Sequence, residues 1–244
     1  MRGPASLILL LALGAQDAAP PIDVSAIEVS APVLVCEFDA ALLTGELRRL
    51  SWSPDGAYLH IQSIDRDAGV HDVIVSRLDG VASVAFGEPE WASGYWARKS
   101  DLAAPGVPSL RLEVVESHRR TRPTPFIGGL NGAQTADPKN PIDAYESEVT
   151  VRLRGEEIGN WINGAPLAGQ TFGWGPAGSG AIVFVDRGGR LTVMDERKRR
   201  KVVATAKGAT LPAWSSDGAN LAFLQKGARR TFRLMAVSLR RATV

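Results

Sequence analysis

Apolar and polar positions alternate in short runs along this chain, and turn residues break the runs. Along Tyr58-Leu59-His60-Ile61-Gln62-Ser63 one face is apolar and the other mixed, the period-two pattern of a half-buried strand. Residues 50–53 lead into it through Pro54-Asp55-Gly56, and Asp-Gly is a strong tight-turn pair because glycine supplies positive φ. Residues 65–69 turn the chain, 72–78 return around Val73-Ile74-Val75, Asp79-Gly80 turns again, and 81–86 give a fourth strand. The same order recurs late, with strands at 181–185, 191–194 and 201–205, then at 221–224 and 232–237. The pattern predicts an all-β protein built from small antiparallel sheets.

One phrase marks the repeat. Trp52-Ser53-Pro54-Asp55-Gly56 returns as Trp214-Ser215-Ser216-Asp217-Gly218, and a degraded copy, Phe172-Gly173-Trp174-Gly175-Pro176, lies between them. Trp174 and Trp214 are 40 residues apart, and Trp52 precedes Trp174 by 122, close to three such steps. A step of about 40 residues with strand–turn–strand content predicts a β-propeller of four-stranded blades. Blade starts near 52, 93, 133, 174 and 214 count about five. Trp52, Trp174 and Trp214 are then expected to be buried at equivalent positions, one large ring filling each gap between neighbouring sheets. Asp55, Gly56, Asp217 and Gly218 are expected in tight turns.

The middle of the chain follows the step poorly. Trp91 and Trp96 are near the second phase, and 110–115 and 148–153 alternate as strands. Residues 117–145 are rich in Arg, Pro, Gly, Asn and Asp with no sustained apolar pattern, and are expected to form a disordered loop. The last blade lacks an outer strand, whereas the apolar run 33–38 has no blade of its own. Pairing the two would close the array and hide both edges.

The Trp-Ser-Pro-Asp-Gly phrase, followed by alternating strand residues, resembles the β-propeller repeat of the TolB-like family. The resemblance rests on 52–61 with 74–80 and on 214–223 with 234–237; 174–195 matches less well, because Ala177 and Gly178 replace the usual Asp-Gly. It covers about half the chain beyond the leader described next and leaves out 87–160. It implies the fold far more than a function. Similar propellers serve as periplasmic docking modules and as gating domains in front of serine peptidases.

Composition adds a compartment and a charge pattern. Met1-Arg2, an apolar run over 6–13 and small residues at Gly14 and Ala15 have the layout of a secretory signal peptide over residues 1–15. This predicts export to a periplasmic or extracellular space, with one propeller domain over 21–244. No later apolar stretch is long enough for a membrane span. The single cysteine, Cys36, sits in an apolar run and reads as a small buried hydrophobe. Residues 1–150 carry 12 Lys and Arg against 20 Asp and Glu, a balance of −8, and the remainder carries +10. Such asymmetry marks either a partner-binding face or attraction between the two ends of a ring.

Candidate chemistry is thin. Gly178-Ser179-Gly180 lacks the spacing of a hydrolase nucleophile elbow, and Gly173–Gly178 lacks the Lys-Ser/Thr of a phosphate-binding loop. His60 and His71 are placed across the first hairpin from one another, but no third ligand has metal-site spacing. No cofactor, metal or catalytic residue is assigned. Arg197-Lys198-Arg199-Arg200-Lys201 reads as a solvated hairpin tip or as a contact for an anionic partner. Stacking aromatics are not interleaved with it, which argues against nucleic acid.

Three readings of function follow. The leading one is an exported, non-catalytic propeller that binds another protein or a cell-envelope component. The second is a hydrolase-type enzyme using rim-loop residues among Asp101, Glu113, Glu116, His118 and Asp143. The third is a subunit whose propeller is completed by a partner chain. The ligand and the oligomeric state are not legible in the sequence.

Overall fold

The computed structural model describes residues 21–241 apart from 66, 68, 86, 93–101, 122–143, 163–171, 187 and 207. The side chains of 116–121, 144–149, 160–162 and 241 also fall outside that description. The strands are β1 (Ile27–Val29), β2 (Val33–Asp39), β3 (Glu46–Trp52), β4 (Tyr58–Ile64), β5 (Val70–Ser76) and β6 (Ala82–Ala85). Next come β7 (Ala103–Ala104), β8 (Val107–Thr121), β9 (Ala144–Leu153), β10 (Glu156–Ile162), β11 (Phe172–Trp174) and β12 (Ile182–Val185). The last are β13 (Arg190–Met194), β14 (Arg200–Thr205), β15 (Ala209–Trp214), β16 (Asn220–Lys226) and β17 (Thr231–Arg241). Short 3-10 turns occupy Val24–Ala26, Ala40–Leu42 and Glu90–Ala92.

These strands form four antiparallel sheets in the manner of propeller blades. The first is β3-β4-β5-β6, the second β7-β8-β9-β10 and the third β11-β12-β13-β14. The fourth joins β15-β16-β17 with β2 as its outer strand, and β1 pairs the far end of β17. The chain's early apolar run therefore supplies the strand that the last blade lacks, as the unpaired edges demanded. Its ladder runs from Thr231↔Asp39 to Ala236↔Val33.

Three apolar layers hold neighbouring sheets together. Leu50, Trp52, Leu59, Ile61, Val73 and Val75 of the first sheet pack on Leu211, Ala222, Leu224, Leu234 and Phe38 of the fourth. The opposite face of the fourth, with Trp214, Leu221, Phe223 and Val237, packs on Val183, Leu191 and Val193 of the third. The other face of the third, with Phe172, Ile182, Phe184 and Met194, packs on Leu110, Leu112, Val151, Leu153 and Ile158 of the second. Burying one such side chain contributes about 1.5–3 kcal/mol. Among the described residues no apolar cluster joins the first sheet to the second.

Two expectations need correction. About five phases were expected, but the described residues hold four sheets, because the described strands β7 to β10 form a single sheet. The expected disordered loop at 117–145 is strand at both ends: β8 and β9 pair from Leu112↔Leu153 to Thr121↔Ala144. Backbone ladder bonds extend this hairpin without an apolar pattern to announce it. Residues 122–143, and the leader at 1–15, lie outside the described residues.

Candidate functional site

The repeated phrase folds into the same turn twice. Ser53 Oγ donates to Asp55 at 2.5 Å and accepts from Tyr58 N at 2.9 Å. Ser215 Oγ donates to Asp217 at 2.5 Å and accepts from Asn220 N at 2.9 Å. Gly56 and Gly218 hold φ of +70° and +72°, where a Cβ is costly. The hydrogen bond from Ser53, then that from Ala57 N, holds the Asp55 carboxyl below its ordinary range. At Asp217 burial opposes the same bonds, from Ser215 and Ala219, and the bonds prevail. Both aspartates are thus turn-builders.

The tryptophans occupy equivalent places in three successive inter-sheet gaps. Trp52 lies between the first and fourth sheets and Trp214 between the fourth and third, both buried. Trp174 lies between the third and second, yet it is only partly buried. The short strand β11 and the partial match of its turn leave that ring nearer solvent than expected.

On the outer face of the first sheet, turned away from the fourth, lies a buried polar network that the sequence did not reveal. His60 is fully buried, and Arg49, Gln62 and Asp72 nearly so. His60 Nε2 is 2.7 Å from Asp72 Oδ1 and its Nδ1 is 3.3 Å from Arg49 Nη2. A guanidinium can only donate, so Nδ1 accepts and Nε2 carries the proton to Asp72. Gln62 donates to the same Asp72 oxygen at 3.0 Å. Arg49 also pairs with Glu88, and Trp91 stands edge-on to His60 at 5.9 Å, so residues 87–92 cap the face. Burial, against the Asp72 hydrogen bond and with help from Arg49, keeps the imidazole neutral and its pKa below the ordinary value.

Ser51 is the cross-strand partner of His60, and its Oγ is buried without a hydrogen bond. Serine, histidine and aspartate are therefore neighbours, but both imidazole nitrogens are engaged. Neither is left to take a proton from Ser51, as nucleophilic catalysis requires. The network fixes residues 87–92 in place. His71 does not face His60: it pairs with Ser63 in the ladder, on the other side of the sheet, and bonds Asp65 and Thr44. Among the described residues no group of three or more potential metal ligands is present.

The basic run is largely engaged within the molecule. Arg199 bonds Asp195 and Asp23, each at 2.7 Å, Arg200 bonds Glu156 at 2.5 Å, and Lys198 is 4.0 Å from the same Glu156. Lys201 donates to the Ile27 carbonyl. Arg197 alone of the five has no side-chain partner among the described residues. Hydrogen bonds from Ser25, then Arg199, lower the Asp23 pKa to about 2. The run thus ties the third sheet to the second and to the N-terminal segment.

Of the rim candidates, only Glu113 has a described side chain. Glu113 is exposed on the free face of the second sheet. Glu116 and His118 lie on β8 with side chains outside the description, and Asp101 and Asp143 lie outside the described residues. Cys36 is buried, which pushes its thiol up to about 11. No described helix is long and apolar enough to cross a membrane.

A different surface stands out. Leu78 is 97% exposed, and Val33, Val81 and Val84 are each more than half exposed. They lie on the outer strands β2 and β6 and the turn before β6. That turn abuts β2 so closely that a Cβ on Gly80 would stand 2.5 Å from the Val35 carbonyl oxygen. The turn at one sheet edge thus packs against the outer strand of the next sheet, with exposed apolar side chains on both.

No protein-family model matches the chain, and no curated protein matches it. Among solved structures it is similar to TolB from Acinetobacter baumannii, at 13% identity over 90% of this chain and 54% of that one, with a TM-score of 0.26. It is similar also to a chain of a mitotic checkpoint complex, at 13% identity over 97% of this chain and 58% of that one, with a TM-score of 0.23. A third is Sqt1 from Chaetomium thermophilum, at 14% over 79% and 44%, with a TM-score of 0.23. The chain spans about half the length of these structures.

Proposed function

We propose that this is an exported, non-catalytic interaction module of the TolB-like kind, which binds another protein or a cell-envelope component. The exposed apolar side chains of Val33, Leu78, Val81 and Val84 carry the reading. Exposed large apolar side chains on the edges of neighbouring sheets are costly in water and suit a contact surface. Export rests on the leader-like start at residues 1–15. The test is capture from envelope extract, with residues 21–244 as bait and a Leu78→Asp/Val84→Asp variant beside it. The wild-type chain is expected to retain a partner that the variant loses. No capture, or equal capture by both, sinks the reading.

A second reading has its own support. The first and second sheets share no apolar layer among the described residues, and the second sheet's free face carries exposed Arg111, Glu113 and Arg152. An array with such a charged, uncovered end sheet suits completion by a partner chain. Native mass measurement separates the readings, since a stable multiple of the 26.0 kDa chain favours completion.

A further inference from the structure

A group of cations without internal ion-pair partners lies on a different hairpin from the longest basic run. Lys226, at the end of β16, and Arg229 and Arg230, in the turn after it, are exposed and have no ion-pair partner among the described residues. The next cation along, Arg233, is paired with Glu37 at 2.9 Å. Asp39, the one carboxylate lining the same cleft, turns to Ala41 N at 2.8 Å instead.

The hairpin is held rigidly. Gly227 N donates to Thr231 O at 2.8 Å, Thr231 Oγ1 to Ala228 O at 2.7 Å, and Ala40 N to Arg230 O at 2.9 Å. Arg229 and Arg230 both lie in the left-handed region, with φ of +53° and +63°, which a Cβ disfavours and glycine enters freely. Two other cations share this conformation, but each has a partner. Arg154 bonds the Glu196 carbonyl and Lys198 approaches Glu156. At 229 and 230 strained arginine is kept with nothing inside the molecule to bind it. Backbone strain of this sort concentrates at functional surfaces.

The cleft beside these residues has a volume of about 640 Å³ and is lined by Phe232, Ala40 and Ala41 as well as the three cations. We infer that this hairpin is a docking site for an acidic polypeptide segment. Its carboxylates meet the Arg229 and Arg230 guanidiniums, which suit paired bonds to carboxylate. An apolar side chain of the segment meets Phe232, Ala40 and Ala41. Asp39 disfavours a continuous polyanion but tolerates a peptide of spaced charges. The assignment rests on the reading of the chain as an interaction module and names the chemistry of one partner.

The test is fluorescence anisotropy of a labelled peptide in which glutamates alternate with glycine and leucine, titrated with the wild-type chain at low and high salt. Binding is expected at low salt and weakens at high salt. Arg229→Gly/Arg230→Gly should weaken it at least about tenfold while holding or raising the melting midpoint, because glycine relieves the strain. Arg197→Gln should leave it unchanged. Equal weakening by Arg197→Gln, no binding at low salt, or binding of phosphatidylglycerol vesicles in place of the peptide overturns the assignment. The titration reads the hairpin alone, so its failure leaves the extract capture, and the broader reading, standing.

Discussion

The indole N–H of Trp52, in the first sheet, donates to the carbonyl of Ala213, in the fourth, at 3.1 Å. Two segments 161 residues apart in sequence are thereby pinned at the centre of an apolar layer. Its counterpart Trp214 fills the next gap, but its Nε1 is buried without a partner. The pair therefore separates ring from hydrogen bond. Trp52→Phe should cost about 1–3 kcal/mol more than Trp214→Phe, since it removes the Ala213 carbonyl's buried donor. Truncation of either to Ala should cost about 3–5 kcal/mol. Urea midpoints of the four variants check this, and equal losses in the two Phe variants would refute the bond's role.

His60 predicts a pH dependence with a definite sign. Its folded-state pKa lies below the ordinary 6.5, so between the two values the unfolded chain binds more protons. Stability should be level above about pH 6.5 and fall below it, as the imidazole must charge while buried and beside Arg49. His60→Gln should remove that part of the slope while leaving the carboxylate-driven loss at lower pH. Unfolding midpoints across pH 4.5–8, with and without the substitution, decide the matter.

Gly80 tests the contact between the first and fourth sheets. Its φ is +68°, and an added Cβ would meet the Val35 carbonyl oxygen at 2.5 Å. Gly80→Ala should cost about 1–3 kcal/mol through strain and backbone displacement. Gly56→Ala, at φ +70° with nothing within 4 Å, should cost less. A melting comparison that reversed this order would show that the turn does not clamp the sheets.

Deletion of residues 21–39 should destabilise the whole array. It removes the outer strand of the fourth sheet, β1, and Val24, which is fully buried beside Trp214. The expected result is loss of the cooperative transition or association through the bared β17 edge. A truncated chain that stayed monomeric and melted like the full one would contradict the role of this strand.

The parts legible in the sequence were those with local signals. Trp52, Asp55 and Gly56 announced a turn that returned at Trp214, Asp217 and Gly218, and 33–38 announced an unpaired strand. The long β8–β9 hairpin was hidden because ladder hydrogen bonds leave no mark on composition. The His60 network was hidden for another reason. Arg49, Asp72 and Glu88 come from three different segments, and only the alternation of His60 and Gln62 with Leu59 and Ile61 hinted that one face was polar. The internal partners of Lys198–Lys201 were hidden in the same way, because Asp23, Glu156 and the Ile27 carbonyl are distant in sequence.

The pairing of β2 with β17 also sets the order of events during synthesis. Glu37 must wait for Arg233, 196 positions later, before its strand has a neighbour. Until then Val33-Leu34-Val35-Cys36 emerges as an apolar segment with both edges open. Non-local closure of this kind slows folding and lengthens the interval in which such a strand can pair wrongly. The chain therefore matures as a clasp does: most of the array can form early, but it is sealed only when the far end arrives.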